Sequence, residues 1–361
     1  MKLGLVRRGY SETGGAEAYL RRFAAAAVAA GHECVLFSAE WPRAQWPGEL
    51  VEVRARAPWR FADAFAALRP REHCDFVFSF ERVWSCDVYR AGDGVHAAWL
   101  ERRAALEPRW KRWMRIFNRK HPEQLALERE LFRPQSTGAI IANSQMVKTE
   151  IVRHFAYPAE RIHVVPNGVP AFTIPPDARA EVRRELGLDP FDYVALFVGS
   201  GWERKGLRFA IEAMNAANLS GPKLLVAGRG DAQSMPRSSR VRLLGPRRDV
   251  PRLLAAADVF ILPTIYDPFS NACLEALAAG LPVITTRGNG FAEIIEHGVE
   301  GEVIERPDDL AALARAIEGG SPPDRRAAVR ERLRARGAEF SIEHNLRRPW
   351  RSQPEPTNSA T

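Results

Sequence analysis

Asp267-Pro-Phe-Ser-Asn-Ala-Cys-Leu-Glu275 runs straight into Ala-Leu-Ala-Ala-Gly280-Leu-Pro-Val-Ile284. The stretch spells out a turn, an Ala/Leu-rich helix ended by Gly280, and a short apolar strand. A turn that enters a helix aims its free backbone N–H groups at one spot, and the positive end of the helix adds to the pull on a phosphate or sugar oxygen. Phe269, Ser270 and Asn271 carry those groups. Glu275, two turns into the helix, falls on the same side as Asp267 and can accept hydrogen bonds from vicinal hydroxyls such as those of a ribose. The plainer alternative is a helix start with a capping acid and a solvent-facing glutamate.

Outward from this unit the same rhythm continues. Leu3–Val6, Cys34–Phe37, Phe76–Phe80, Ala139–Ala142 and His163–Val165 read as buried strands of a parallel sheet. The first of them is followed by an Ala-rich helix over 16–30. Tyr193–Val198, Lys223–Ala227, Val241–Leu244, Val259–Leu262, Pro282–Thr285 and Glu302–Ile304 repeat the pattern, with helical stretches between most of them. The expectation is an α/β protein of two doubly wound domains, 1–168 and 169–342, divided at a Pro/Gly/Asn-rich connector from Val165 to Pro176. The segment 343–361 is a polar, proline-bearing tail or a return to the first domain.

The chain has 361 residues, 46% of them hydrophobic, a net charge of +8 and a pI near 9.6. That length suits two domains with well-filled cores. The charge points to an anionic partner: a nucleic acid, a phosphorylated ligand or an acidic membrane surface. Cys34, Cys74, Cys86 and Cys273 form no CxxC pair and have no His at zinc spacing, so they read as buried thiols of a reducing compartment. No apolar run is long enough for a membrane span, and Leu3–Val6 is too short for a signal peptide. A cytoplasmic protein, peripheral at most, is expected.

Three further loops carry chemistry. Gly14-Gly15-Ala16-Glu17 sits where the first strand enters the first helix and lets the backbone approach an anion closely. It is not a G-x-G-x-x-G loop, and a plain turn explains it equally well. Gly199-Ser-Gly-Trp-Glu-Arg204-Lys205-Gly206 puts two cations at the end of the first strand of the second domain, a pyrophosphate clamp or an ordinary basic loop. Leu244-Gly245-Pro-Arg-Arg-Asp249-Val250 precedes a helix and then Ala257-Asp258-Val259, in which Asp258 orients structure rather than reacting.

In this order the loops resemble the retaining glycosyltransferases of family 4, two-domain GT-B enzymes with the active site between the domains. The resemblance implies that Arg204 and Lys205 hold the donor diphosphate and that the nucleobase lies beside Gly245 to Val250. It matches the Asp267–Glu275 pair to an acid-x7-acid signature whose first acid is usually Glu. Asn143-Ser144, Val165-Pro-Asn-Gly168 and Gly14-Gly15 extend it to the first domain. Asp87-Val-Tyr-Arg-Ala-Gly-Asp93-Gly-Val-His96-Ala-Ala-Trp99 resembles more narrowly the lipopolysaccharide core α-1,3-glucosyltransferases, which use UDP-glucose and an inner-core heptose. That likeness puts Asp93 on the acceptor side and His96 near a functional histidine. A long basic-aromatic helix is then expected to about Phe132. Its Leu100–Lys120 part holds eight Lys/Arg, with Trp110, Trp113, Met114 and Phe117 in a stripe, suited to an anionic inner-membrane surface or to packing within its own domain.

The implied reaction moves a hexose, glucose by the narrower resemblance, from a UDP-sugar to a glycan or lipid-linked acceptor. The UDP-sugar is a substrate, and no cofactor is expected. With no D-x-D in the chain, the two cations substitute for a metal ion. No recognised nucleic-acid module is present, so no nucleic-acid partner is expected. A GT-B sugar-nucleotide epimerase is the rival enzyme.

Overall fold

Most apolar runs are followed by an amphipathic one, and such a pair becomes a strand and a helix packed back on it. The computed structural model describes residues 1–11, 15–107, 120–169, 174–175, 177–219, 223–320 and 326–342. The first sheet holds β1 (Lys2–Val6), β2 (Glu33–Ser38), β3 (Glu49–Glu52), β4 (Phe76–Ser79), β5 (Cys86–Arg90), β6 (Thr137–Ala142) and β7 (Ile162–Val164), in the order β3-β2-β1-β4-β5-β6-β7. Every pair is parallel. Around it pack α1 (Gly15–Ala29), α2 (Pro58–Ala67), α3 (His96–Leu106), α4 (Lys120–Leu131) and α5 (Gln145–Phe155).

The second sheet holds β8 (Val194–Val198), β9 (Lys223–Ala227), β10 (Val241–Gly245), β11 (Val259–Leu262), β12 (Val283–Thr286) and β13 (Gly301–Ile304), ordered β10-β9-β8-β11-β12-β13 and again parallel throughout. Its helices are α6 (Ala178–Glu185), α7 (Leu207–Ala216), α8 (Val250–Ala256), α9 (Asn271–Ala278), α10 (Leu310–Glu318) and α11 (Arg326–Ala338). β11 is buried along its whole length, as expected of a strand covered by helices on both faces. Asp258 is structural: it accepts from Arg179 Nη2 at 2.6 Å, Arg183 Nη2 at 2.8 Å and Val194 N at 2.9 Å.

Two doubly wound domains result, each with its topological switch point beside its first strand, β1/β4 and β8/β11. Ligands bind at the carboxyl ends of strands there. The chain returns to the connector at its far end: Val169 N donates to Phe340 O at 3.0 Å and Ile342 N to Val169 O at 3.2 Å. The 343–361 segment lies outside the described residues.

Two strands, β3 and β5, were not expected from the sequence. The long helix toward Phe132 is also corrected. It stops at Leu106, because Glu107 is extended (φ −104°, ψ 145°). Pro108 follows, and a residue before proline is pushed out of the helical region. The basic-aromatic positions 108–119 lie outside the described residues.

Candidate functional site

The loops after β1 and β8 face each other across a cavity of about 420 Å³. Gly206 has φ +74°, and a Cβ there would sit 1.9 Å from Pro263 O, so only glycine closes this turn. The turn projects Arg204 and Lys205 into the cleft wall. Arg204 Nη1 donates to Tyr266 O at 3.0 Å, and Lys205 Nζ is paired with Asp267.

From the other flank comes α9. Ser270 caps it, its Oγ accepting from Cys273 N at 3.4 Å. The expectation that the whole turn offers free N–H groups is corrected here, because Ser270 N donates to the buried Asn289 Oδ1 at 3.2 Å. The N–H groups of Asn271 and Ala272 have no hydrogen-bond partner among the described residues, and both residues line the cavity with Phe269 and Ser270. Glu275 lines it too, and burial raises its carboxyl to about 7. Gly15 opens α1 on the opposite wall. A Cβ there would approach Asn271 Nδ2 to 2.4 Å, so the glycine lets the two domains meet. Gly14 lies outside the described residues.

Asp93 and Arg204 join this cavity to a smaller one of about 270 Å³, which His96 and Asp267 also line. Asp267 and Glu275 therefore do not share one wall: Asp267 faces the small cavity, held by Lys205, and Glu275 faces the large one. Desolvation works to raise the Asp93 carboxyl, although half its side chain stays exposed, and the charges of Arg7, Arg82 and Arg204 outweigh it and hold it below the usual carboxylate range. Arg7 lies 3.5 Å from Asp93 and also grips the buried Glu17. His96 is pushed down to about 4 by burial, then by Arg82 and His121, so it is neutral at pH 7. Its Nε2 lies 3.0 Å from His121 Nδ1. Glu128 accepts from the N–H groups of His96 (2.6 Å) and Ala97 (3.2 Å) at the start of α3 and pairs with Arg82.

A third cavity, of about 740 Å³, extends from Ser200 and Glu275 to Arg229, Arg247 and Val250. Gly245 does not line it. Its carbonyl accepts from Gly228 N at 2.8 Å, and the neighbouring Pro246 and Arg247 form the wall instead.

Sequence reading missed Tyr266. Its hydroxyl accepts from Val95 N and donates to Glu150 Oε2, both at 2.8 Å, which ties the Asp93 loop to the second domain. Arg7, Glu17, Arg82 and Glu128 were missed as well. Only Arg7 carried a local signal, as a cation directly after β1 at the switch point. Among the described residues no group of three His, Cys, Asp or Glu could hold a metal ion.

A family profile described as "Glycosyl transferases group 1" matches residues 192–319, and one described as "Glycosyltransferase Family 4" matches residues 13–171. A lipopolysaccharide core biosynthesis glycosyltransferase, LpsE of Rhizobium meliloti, is 31% identical over 257 residues, 69% of this chain and 70% of that protein. The lipopolysaccharide glucosyltransferase WaaG of Escherichia coli is 27% identical over 322 residues, 82% of this chain and 83% of its own. A crystal structure of WaaG, described as involved in lipopolysaccharide biosynthesis, superposes with a TM-score of 0.73 at 26% identity and covers 98% of this chain and 97% of its own. The chain spans about half the length of other curated relatives, 48% for an uncharacterized glycosyltransferase of Methanocaldococcus jannaschii that is 30% identical.

Proposed function

Because the chain belongs to the family 4 glycosyltransferases, we propose that it transfers a hexose, glucose in this reading, from a UDP-sugar to a lipopolysaccharide core or related glycan. The observation that carries this is the convergence on one cleft of Arg204, Lys205 and Glu275 from one domain and Asp93 from the other. The names of LpsE and WaaG support the acceptor class, and WaaG supports glucose.

Two cations at the donor end and an ionised acid on the acceptor side suit a retaining front-face transfer. The acceptor hydroxyl attacks the anomeric carbon from the side of the leaving diphosphate, whose oxygen takes the proton. Arg204 and Lys205, with the free N–H groups of Asn271 and Ala272, meet the negative charge that grows on the diphosphate, the largest effect such a site supplies. In this role they replace a metal ion. Lys205 reaches the diphosphate from its pairing with Asp267, which fixes the ammonium at the join of the two cavities. Asp93, kept ionised, accepts from the acceptor hydroxyls, and neutral His96 lies beside it. Glu275 accepts from the ribose hydroxyls, with the nucleobase in the cavity lined by Val250 and Arg247. No cofactor takes part.

No described helix is long and apolar enough to cross a membrane. The proposed site of action is the cytoplasmic face of the inner membrane, reached through the basic-aromatic stretch of the sequence.

A thermal-shift panel of UDP-, GDP- and ADP-sugars, with and without EDTA, followed by transfer assays on the hit, tests the reading. UDP-sugars are expected to stabilise the protein in either buffer, and an acceptor glycan to release UDP. A UDP-sugar converted to its epimer without acceptor, or activity abolished by EDTA, overturns it.

A further inference from the structure

Most arginines at the domain interface are matched to acids: Arg7 to Glu17 and Asp93, and Arg82 to Glu128. Arg90 is not. It ends β5, is 5% exposed, and its guanidinium carbon lies 3.7 Å above the ring of Tyr19. Its Nη2 donates to Asn167 Oδ1, while its buried Nη1 has no partner among the described residues. Among the described residues the charged group acting on it is Arg22, a second cation from the next turn of α1, and no described carboxylate offsets either. Both arginines line the cavity of about 420 Å³, beside the first turn of α1. Asn167 Nδ2 donates to Asn271 Oδ1 at 2.7 Å, so the connector fixes the amide that orients Arg90.

A buried guanidinium without a counter-charge is costly, and a like charge beside it adds to the cost. Such a pair persists when an anion completes it, and the planar fork of arginine suits a two-oxygen group. We propose that Arg90 and Arg22, with Asn167 and the start of α1, form an oxyanion subsite for a phosphate or carboxylate carried by the acceptor. The inference deepens the glycosyltransferase reading and rests on it for the word acceptor. The donor diphosphate has its own cations, Arg204 and Lys205, on the other domain. The subsite belongs to the first domain and the connector, so donor and anion occupy the cleft together.

Calorimetric titrations at constant ionic strength test this on the full chain saturated with UDP, using inorganic phosphate, glucuronate and neutral glucose as probes. At least one anion is expected to bind saturably and glucose not at all, and the anion that binds identifies phosphate or carboxylate as the source. Arg90→Met is expected to weaken that binding about tenfold or more, with UDP affinity unchanged. Arg22→Gln, at a more exposed position, gives the same direction of loss should Arg90→Met fail to fold. Wild-type protein that binds neither anion, variants that bind as wild type, or displacement of the anion by UDP overturn the subsite. Failure of UDP to bind at all counts against the proposed function instead, and the same titrations without nucleotide still read the arginines.

Discussion

Burial lifts the Glu275 carboxyl from its ordinary 4.5 to about 7. Between those values the folded chain holds a proton that the unfolded chain has lost, so this group's contribution to stability falls as pH rises from 4.5 to 7. Glu275→Gln removes the penalty. Its melting temperature should exceed wild type at pH 8, by about 2–4 °C per kcal/mol recovered, and converge with it near pH 4. The same substitution should weaken UDP binding. Wild-type affinity should drop as pH falls below about 7, by up to about tenfold per unit, while the glutamine variant shows a flat profile. A wild-type titration without that slope removes Glu275 from the ribose. In the proposed mechanism Arg204 and Lys205 act on the transition state, so Arg204→Ala and Lys205→Ala should each lower kcat about 100-fold or more, read in single-turnover assays. Near-normal turnover in both removes the clamp.

The strip Tyr266-Asp267-Pro268 joins the elements of the site. Tyr266→Phe leaves the N–H of Val95 and the Glu150 carboxylate short of a partner, a cost of about 1–3 kcal/mol measurable by urea denaturation. Because the Asp93 loop loses its tether, kcat and acceptor KM should both worsen while UDP affinity holds. Unchanged acceptor kinetics would mean the tether is not used. Core strands such as β8 and β11 were legible because a strand covered on both faces is a continuous apolar run. β5 was not, since Asp87 and Arg90 interrupt that run. The fold accommodates Asp87 through Val77 N at 2.7 Å and Arg71 at 2.9 Å, partners that no local pattern announces. The cleft divides the same way. Arg204, Lys205 and Glu275 stand at spacings set by one loop and one helix, whereas Tyr266 meets Val95 across 171 residues of sequence.

At the scale of the whole molecule, the domains are held by directed contacts. Glu293 accepts from the N–H groups of Gln145 (2.7 Å) and Met146 (2.6 Å), closing the start of α5 from the opposite domain. Ser144 Oγ donates to Pro268 O at 2.8 Å. The net charge of +8 supports the proposed membrane surface. Reversal of Arg109, Lys111 and Arg112 to Glu should abolish binding to anionic vesicles at low salt and leave UDP binding intact, because each cation near such a surface contributes about 1 kcal/mol. Wild-type indifference to those vesicles ends the membrane reading. Tyr266 follows β11 in the chain, yet its ring is 2% exposed within the hydrophobic core of the first sheet. The two domains should therefore melt in a single calorimetric transition, and two resolved transitions would contradict this. The protein is then not a pair of exchangeable modules. A chimaera cut at Val169 and fitted with a relative's second half must bring an aromatic ring shaped for this socket, or it inherits a void there and a buried Glu150 left with Arg102 alone.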